Sequence, residues 1–159
     1  HYFLGQRYRL RVLEHDASPQ VVLRNKASLL LYTRHGASAE QRDHILQRWY
    51  RAELKTLISP LLEKWQPVLG VHVADWGIKR MKTKWGSCNT RARRIWFNLE
   101  LAKKPTRCPE YIAVHEMIHL LERRHNDRFT ALMDQHLPQW RLYRAELNRA
   151  PLAHENWAY

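Results

Sequence analysis

The stretch "VHEMIHLLERRHNDRF", residues 114–129, carries three histidines, and a glutamate stands between the first two. His115 and His119 are four residues apart, so on an α-helix they share one face, one turn apart. Both imidazoles can therefore reach a single ion at about 2.0–2.1 Å. Glu116 points about 100° round the helix, away from that ion but toward a water at its open position. This H-E-x-x-H spacing is typical of zinc hydrolases in which the glutamate is the general base.

A third ligand is expected from the same stretch, because catalytic zinc takes three protein ligands. His125 follows His119 by six residues, and on a straight helix it would lie about 240° further round and out of reach. The helix must therefore end soon after Leu121, and the chain must turn back. Asn126 or Asp127 can then cap the next helix.

Two further expectations concern the turn before His125 and the alternative third ligands. The turn contains no glycine, so Arg124 or Asn126 is expected to adopt a left-handed conformation. Glu122 and His136 are the alternative third ligands, and His125 is preferred to both. Glu122 shares the helix face of the first two histidines but lies close to them along the chain.

The rest of the chain predicts strands on both sides of one long helix. "SAEQ" at residues 38–41 reads as a capping box, in which Ser38 is the N-cap and Gln41 stands three residues later. Pro60 is expected to kink this helix, and Pro67 with Gly70 to end it. The predicted segments are N-terminal strands at 1–37, the long helix at 38–68, strands at 71–101, and the active-site and C-terminal helices at 109–149. This order predicts an α+β fold with a small mixed or antiparallel sheet.

Length, cysteine content and net charge limit the classes of protein to which the chain can belong. A chain of 159 residues suits one domain, predicted here as 1–159. No stretch is long and apolar enough to span a membrane. Cys88 and Cys108 do not suggest a disulfide framework, and two free thiols predict a reducing, cytoplasmic location. The net charge is +12, and residues 79–94 hold seven basic and no acidic residues, which makes nucleic acid a possible partner.

Four motifs together resemble a known family. "KWGSC" at 84–88, "FNLEL" at 97–101, "PEYIAVHEMIHL" at 109–120 and "RRHNDRF" at 123–129 look like the bacterial YgjP-like metallopeptidase domain. That domain is similar to the SprT/Wss1-type proteases of the zincin-like fold, and the resemblance covers about residues 2–147. It implies one Zn²⁺ ion bound by His115, His119 and His125, with Glu116 as the catalytic base.

The resemblance also implies where a substrate lies. The strand "IWFNLEL", residues 95–101, is expected to border the cleft, with Trp96 and Asn98 as substrate contacts. Zincin-like enzymes commonly bind an extended peptide at such an edge strand, a mode with a general physical basis. A developing oxyanion needs a second donor, which His136, Tyr143 or an arginine can supply.

Three functions are therefore open at this point. The first is a zinc metallopeptidase acting on polypeptides. The second is a DNA-associated protease of the SprT/Wss1 type, acting on DNA-bound proteins. The third is a metal-bearing interaction module that is not an enzyme, for which a closed coordination shell would be expected.

Overall fold

The structure of the chain, a computed structural model, describes residues 1–149, so the last part of the predicted domain, 150–159, lies outside the described residues. Its eight strands and four helices confirm the α+β class. The elements follow in the order β1 (Tyr2–Phe3), β2 (Gln6–Arg7), β3 (Arg9–Glu14), β4 (Gln20–Arg24), β5 (Ser28–Thr33), α1 (Ala39–Leu69), β6 (Asp75–Lys79), β7 (Gly86–Asn89), β8 (Arg94–Asn98), a 3₁₀ helix (Leu99–Lys103), α2 (Arg107–Ile118), α3 (Asp127–His136) and α4 (Trp140–Asn148).

The strands form two small mixed sheets and a hairpin rather than one sheet. The order in the N-terminal sheet is β3-β5-β4, in which β5 pairs parallel with β3 and antiparallel with β4. The second sheet repeats the arrangement as β6-β8-β7, in which β8 pairs parallel with β6 and antiparallel with β7. Each sheet therefore has a buried central strand and two edge strands.

Helix α1 begins at the predicted capping box. Ser38 Oγ accepts from the Gln41 N–H at 3.1 Å, and Gln41 Oε1 accepts from the Ser38 N–H at 2.8 Å. The helix contains both Pro60 and Pro67 and ends at Gly70, whose φ of 69° is left-handed. Pro67 was expected to end the helix together with Gly70, but the helix continues past it to Leu69. The apolar face extends to this last turn and keeps the backbone packed.

That apolar face packs on the remaining elements. Its buried side chains recur every three or four residues: Leu46, Tyr50, Leu54, Ile58, Leu62, Trp65 and Leu69. Helix α2 lies in the middle of the molecule, where it contacts α1, α4 and β7. All of its residues from Tyr111 to Ile118 are buried, so the histidine motif begins inside the hydrophobic core.

Within residues 1–149, no helix is both long and apolar enough to cross a membrane.

Candidate metal centre

The chain turns back after α2, as the position of His125 requires. The helix ends at Ile118, and the Leu121 N–H donates to the Ile118 carbonyl at 2.8 Å, a tight i to i−3 turn. Asn126 then caps α3, because its Oδ1 accepts from the Phe129 N–H at 3.0 Å. The expectation of a left-handed residue is wrong: Asn126 has a φ of −111°, and Arg124 is not among the described residues with positive φ. The 3₁₀-type turn reverses the chain without that conformation.

The reversal brings three imidazoles together. His115 Nε2 lies 3.3 Å from His119 Nε2, which lies 2.9 Å from His125 Nε2. The ligand atoms of these three residues all fall within 4.8 Å of one another. A tetrahedral ion with Zn–N bonds of about 2.0–2.1 Å would space its nitrogens roughly 3.3 Å apart. The donor set and its spacing therefore fit a zinc ion.

Neighbouring groups orient these rings. His119 Nδ1 lies 3.1 Å from the Glu122 carbonyl oxygen, and a donated N–H there leaves Nε2 as the lone-pair atom facing the other histidines. The Phe129 ring of α3 contacts all three imidazoles, with centroid distances of 4.9 Å to His115, 4.7 Å to His119 and 4.9 Å to His125. Sequence reasoning did not identify Phe129 as part of the site.

The environment favours neutral imidazoles, the form that binds metal. Burial lowers the pKa of His115 well below its ordinary value, and the charges of His119, His125 and Arg144 lower it further. Burial also lowers the pKa of His119. His125 is exposed, so the group opens to solvent on that side.

Glu116 is buried beside the histidine group. Its side chain is 1% exposed, and Oε2 accepts no hydrogen bond from the described residues. Burial raises its pKa to about 8, while the charge of Lys84 acts in the opposite direction. A cation among the histidines would favour the ionised carboxylate. Gly86 of β7 packs against it, since a Cβ added there would lie 3.1 Å from Glu116 Cγ.

This geometry agrees with a comparison against known families. The family described as "YgjP-like, metallopeptidase domain" matches residues 1–150, which is nearly the whole chain. The chain belongs to the YgjP-like metallopeptidase family. A metallopeptidase domain acts on polypeptides, so this membership supports a metal-dependent hydrolase and a polypeptide substrate.

A solved structure shares the fold of this YgjP-like chain. It is described as "Crystal structure of the metallopeptidase zymogen of Pyrococcus abyssi abylysin", and it is similar with a TM-score of 0.52 and 18% sequence identity. The match covers 57% of this chain and 90% of that chain. At this identity the likeness concerns the fold. No curated protein matches the chain significantly.

The rival third ligands of this YgjP-like chain are placed differently. The Glu122 carboxylate accepts from the Arg124 N–H at 3.4 Å and lies 3.5 Å from Arg128 Nη1, so it stabilises the turn. His136 is the last residue of α3. In the part of the chain that the structure describes, the group able to hold a metal comprises His115, His119 and His125.

Asn98, one of the two substrate contacts predicted for the YgjP-like chain, is buried and hydrogen-bonded within the chain. Its side chain is 0% exposed, and its amide donates to the carbonyls of Met81 at 2.9 Å and Lys84 at 2.8 Å. Its Oδ1 accepts from the Glu100 N–H at 3.1 Å. Asn98 therefore holds the loop before β7.

Trp96, the other predicted substrate contact, lies on the outer face of its sheet. Ile95 and Phe97 are buried, so strand alternation turns Trp96 to the opposite face of the sheet. Its ring packs over Gly77, where an added Cβ would lie 2.7 Å from the ring. Lys79 Nζ and Arg94 Cζ each lie 4.5 Å from the ring centroid. Two of the seven basic residues of the run therefore pack on a tryptophan on the outer sheet face.

The strand bordering the candidate site is β7. Strand β8 was predicted to border the cleft as an edge strand, but it is the central strand of its sheet. Gly86 and Cys88 of β7 share the inner face with Ile95 and Phe97, and Gly86 packs on Glu116. Tyr143, predicted as an oxyanion donor, donates its hydroxyl to Gln139 Oε1 at 3.0 Å.

Proposed function

We propose that the chain is a zinc-dependent metallopeptidase in which His115, His119 and His125 bind one Zn²⁺ ion and Glu116 is the general base. The observation that carries this proposal is the convergence of three Nε2 atoms beside a buried glutamate. Membership of a metallopeptidase family supports it.

The protein groups have distinct roles in this reaction. A bound zinc ion supplies a Lewis acid for the scissile carbonyl and lowers the pKa of water at the site. Glu116 accepts a proton from the attacking water and donates it to the leaving amine. Its burial excludes bulk water from the proton transfer, and the contact with Gly86 limits the positions its carboxylate can adopt.

We propose that an extended substrate pairs with β7 along the edge that faces away from β8. Main-chain hydrogen bonds to an edge strand give affinity that depends little on side chains. Strand β7 lies at the edge of the order β6-β8-β7 and is the strand that packs against Glu116. A peptide hydrogen-bonded to β7 would run past Glu116 and the histidine group, rather than across the opposite face of the sheet.

The test is cleavage of an unfolded polypeptide by the zinc-loaded chain, followed by mass spectrometry of the products. Glu116→Gln should abolish turnover and keep zinc binding, because the amide cannot accept the proton and Glu116 is not among the three ligands. Glu63→Gln is the control, since Glu63 is exposed on α1, and it should retain cleavage. Undiminished cleavage by the Glu116 variant would contradict the proposal.

A second candidate, a DNA-dependent protease, is favoured by one observation. Trp96 with Lys79 and Arg94 forms an aromatic and cationic cluster on the outer face, of the kind that binds single-stranded nucleic acid. Cleavage that rises with added single-stranded DNA, and loses this rise in Trp96→Ala, would support it. Cleavage independent of DNA and salt would reject it.

The third candidate, a non-catalytic metal-binding module, predicts bound zinc with no products from any polypeptide.

A further inference from the structure

Arg144 lies on the face of α4 that packs against α2. It follows Trp140 by one helical turn and precedes Leu147 by three residues, and both of these neighbours are buried. The Arg144 side chain itself is exposed. It therefore combines a packed helix face with access to solvent, as a group that contacts substrate must.

Helices α2 and α4 run antiparallel, so the start of α4 lies toward the end of α2 that carries His115. Arg107 at the start of α2 pairs with Glu146 near the end of α4, with Arg107 Nη2 to Glu146 Oε1 at 2.7 Å. One turn further along α2, the Tyr111 ring stacks on Trp140 at 6.4 Å. Helical side chains tilt toward the N-terminus of their own helix, so side chains of α4 lean toward the end of α2 that carries His115.

Ring contacts connect Arg144 to the histidine group. Its Cζ lies 5.1 Å from the Trp140 ring centroid, Trp140 stacks on Tyr111, and the Tyr111 ring centroid lies 5.7 Å from that of His115. These contacts place the guanidinium on the side of α2 that carries Tyr111 and His115.

The neighbouring arginines of α4 and α2 each pair with a carboxylate, and Arg144 differs from them in this respect. Arg141 pairs with Asp134 at 2.7 Å, and Arg107 pairs with Glu146. Within residues 1–149, no carboxylate pairs with Arg144. A guanidinium without a paired carboxylate has its charge available for an anion.

We propose that Arg144 is a catalytic residue that donates hydrogen bonds to the oxyanion formed when water attacks the scissile carbonyl. This inference rests on the proposed peptidase function. Donors that face developing charge in a partly desolvated site are among the largest contributions to catalysis. The guanidinium presents several N–H donors in a rigid plane, which suits a tetrahedral oxyanion. The Trp140 indole beside it restricts where that plane can lie.

The position of Arg144 distinguishes it from the two donors predicted by residue type. The Tyr143 hydroxyl already donates to Gln139, at the N-terminal end of α4. His136 ends α3, with Leu137, Pro138 and Gln139 between it and α4. Arg144 packs on Trp140, whose ring stacks on Tyr111 beside His115.

Four variants test the proposal: Arg144→Gln, Arg144→Lys, Arg141→Gln and Glu116→Gln. Cleavage kinetics are measured on a neutral internal peptide, and zinc affinity is measured separately. The affinity of each zinc-loaded variant for a phosphinic peptide, whose tetrahedral anion resembles the oxyanion, is measured by calorimetry. Arg141→Gln is the matched control, because Arg141 contacts the same Trp140 ring at 4.3 Å but is neutralised by Asp134.

The expected result is a loss of kcat of about 100-fold or more in Arg144→Gln, with KM and zinc affinity unchanged. Phosphinic-peptide affinity should fall in parallel, Arg144→Lys should recover part of both, and Arg141→Gln should behave as the wild type. Equal phosphinic-peptide affinity in Arg144→Gln and Arg141→Gln overturns the proposal. So does a loss confined to substrates with an acidic side chain or a free carboxyl end.

Failure of the peptidase function is distinguishable from failure of this inference. Absence of cleavage by the wild type rejects the peptidase proposal, whereas the phosphinic-peptide comparison still decides whether Arg144 binds the tetrahedral anion. Absence of phosphinic-peptide binding by the zinc-loaded wild type overturns the role of Arg144.

Discussion

Gly86 controls how closely β7 approaches the helix that carries Glu116. A Cβ at this position would lie 2.8 Å from Ile112 Cγ2, 3.1 Å from Glu116 Cγ and 3.3 Å from the Trp96 carbonyl oxygen. These contacts come from two different elements, so moving one side chain cannot relieve them all. The small residue of the "WGSC" motif is therefore explained by the close packing of the strand on the candidate catalytic base.

Replacing Gly86 by alanine is expected to destabilise the chain by about 1–3 kcal/mol, the usual cost of overpacking a core. Cleavage should fall as well, because Glu116 must shift. The free energy of unfolding in urea measures the first effect. Ser87→Ala, on the opposite face of the same strand, is the control and should change stability little. Equal stability of Gly86→Ala and the wild type would show that β7 can move away without cost.

At the scale of elements, α4 determines what surrounds the end of α2. Glu146 joins the two helices, because Arg107 donates hydrogen bonds to both of its carboxylate oxygens. These bonds hold the pKa of Glu146 below its ordinary value of 4.5. The same helix pair places Trp140 and Arg144 beside Tyr111, so the link bears on the site as well as on the fold.

Glu146→Gln is expected to reduce the acid sensitivity of the chain. A folded-state pKa below the unfolded value stabilises the protein above the unfolded value, and this contribution is lost as pH falls through the lower folded value. Wild-type stability should therefore fall between about pH 6 and pH 3.5 more steeply than that of the variant. Urea unfolding at both values measures the difference. Glu63→Gln, on an exposed part of α1, should follow the wild type, and identical slopes for all three would contradict the prediction.

For the whole molecule, the proposed zinc ion would join elements that are separate in sequence. Two ligands come from α2 and its last turn, and the third comes from the segment before α3, where Phe129 packs on all three rings. An ion bound only by the folded chain stabilises it by mass action. Zinc should therefore act on the stability of the domain as well as on its chemistry.

Removing zinc with a chelator is expected to lower the melting temperature, and adding zinc to restore it. At a free zinc concentration of 100 times Kd, the stabilisation is about 2.7 kcal/mol. His125→Ala should lose most of this zinc-dependent shift, while His136→Ala should keep it. Calorimetric melting with and without zinc measures both. An unchanged shift in His125→Ala would remove that residue from the proposed ligand set.

The patterns that the sequence determined by itself are local ones. His115 and His119 share a helix face because of their spacing, and Ser38 with Gln41 forms the capping box because both hydrogen bonds join near neighbours. The position of His125 required a chain reversal that the structure contains. These features depend on the geometry of a few consecutive residues, which backbone stereochemistry restricts strongly.

Only the tertiary structure decided which strand borders the site and which aromatic ring packs on the histidines. Strand β8 was expected to border the cleft, but strand order placed it in the centre of its sheet and left β7 at the edge. Phe129 contacts the three histidine rings because α3 packs against them. Residue spacing along the chain does not encode such contacts, since they depend on how whole elements share the core.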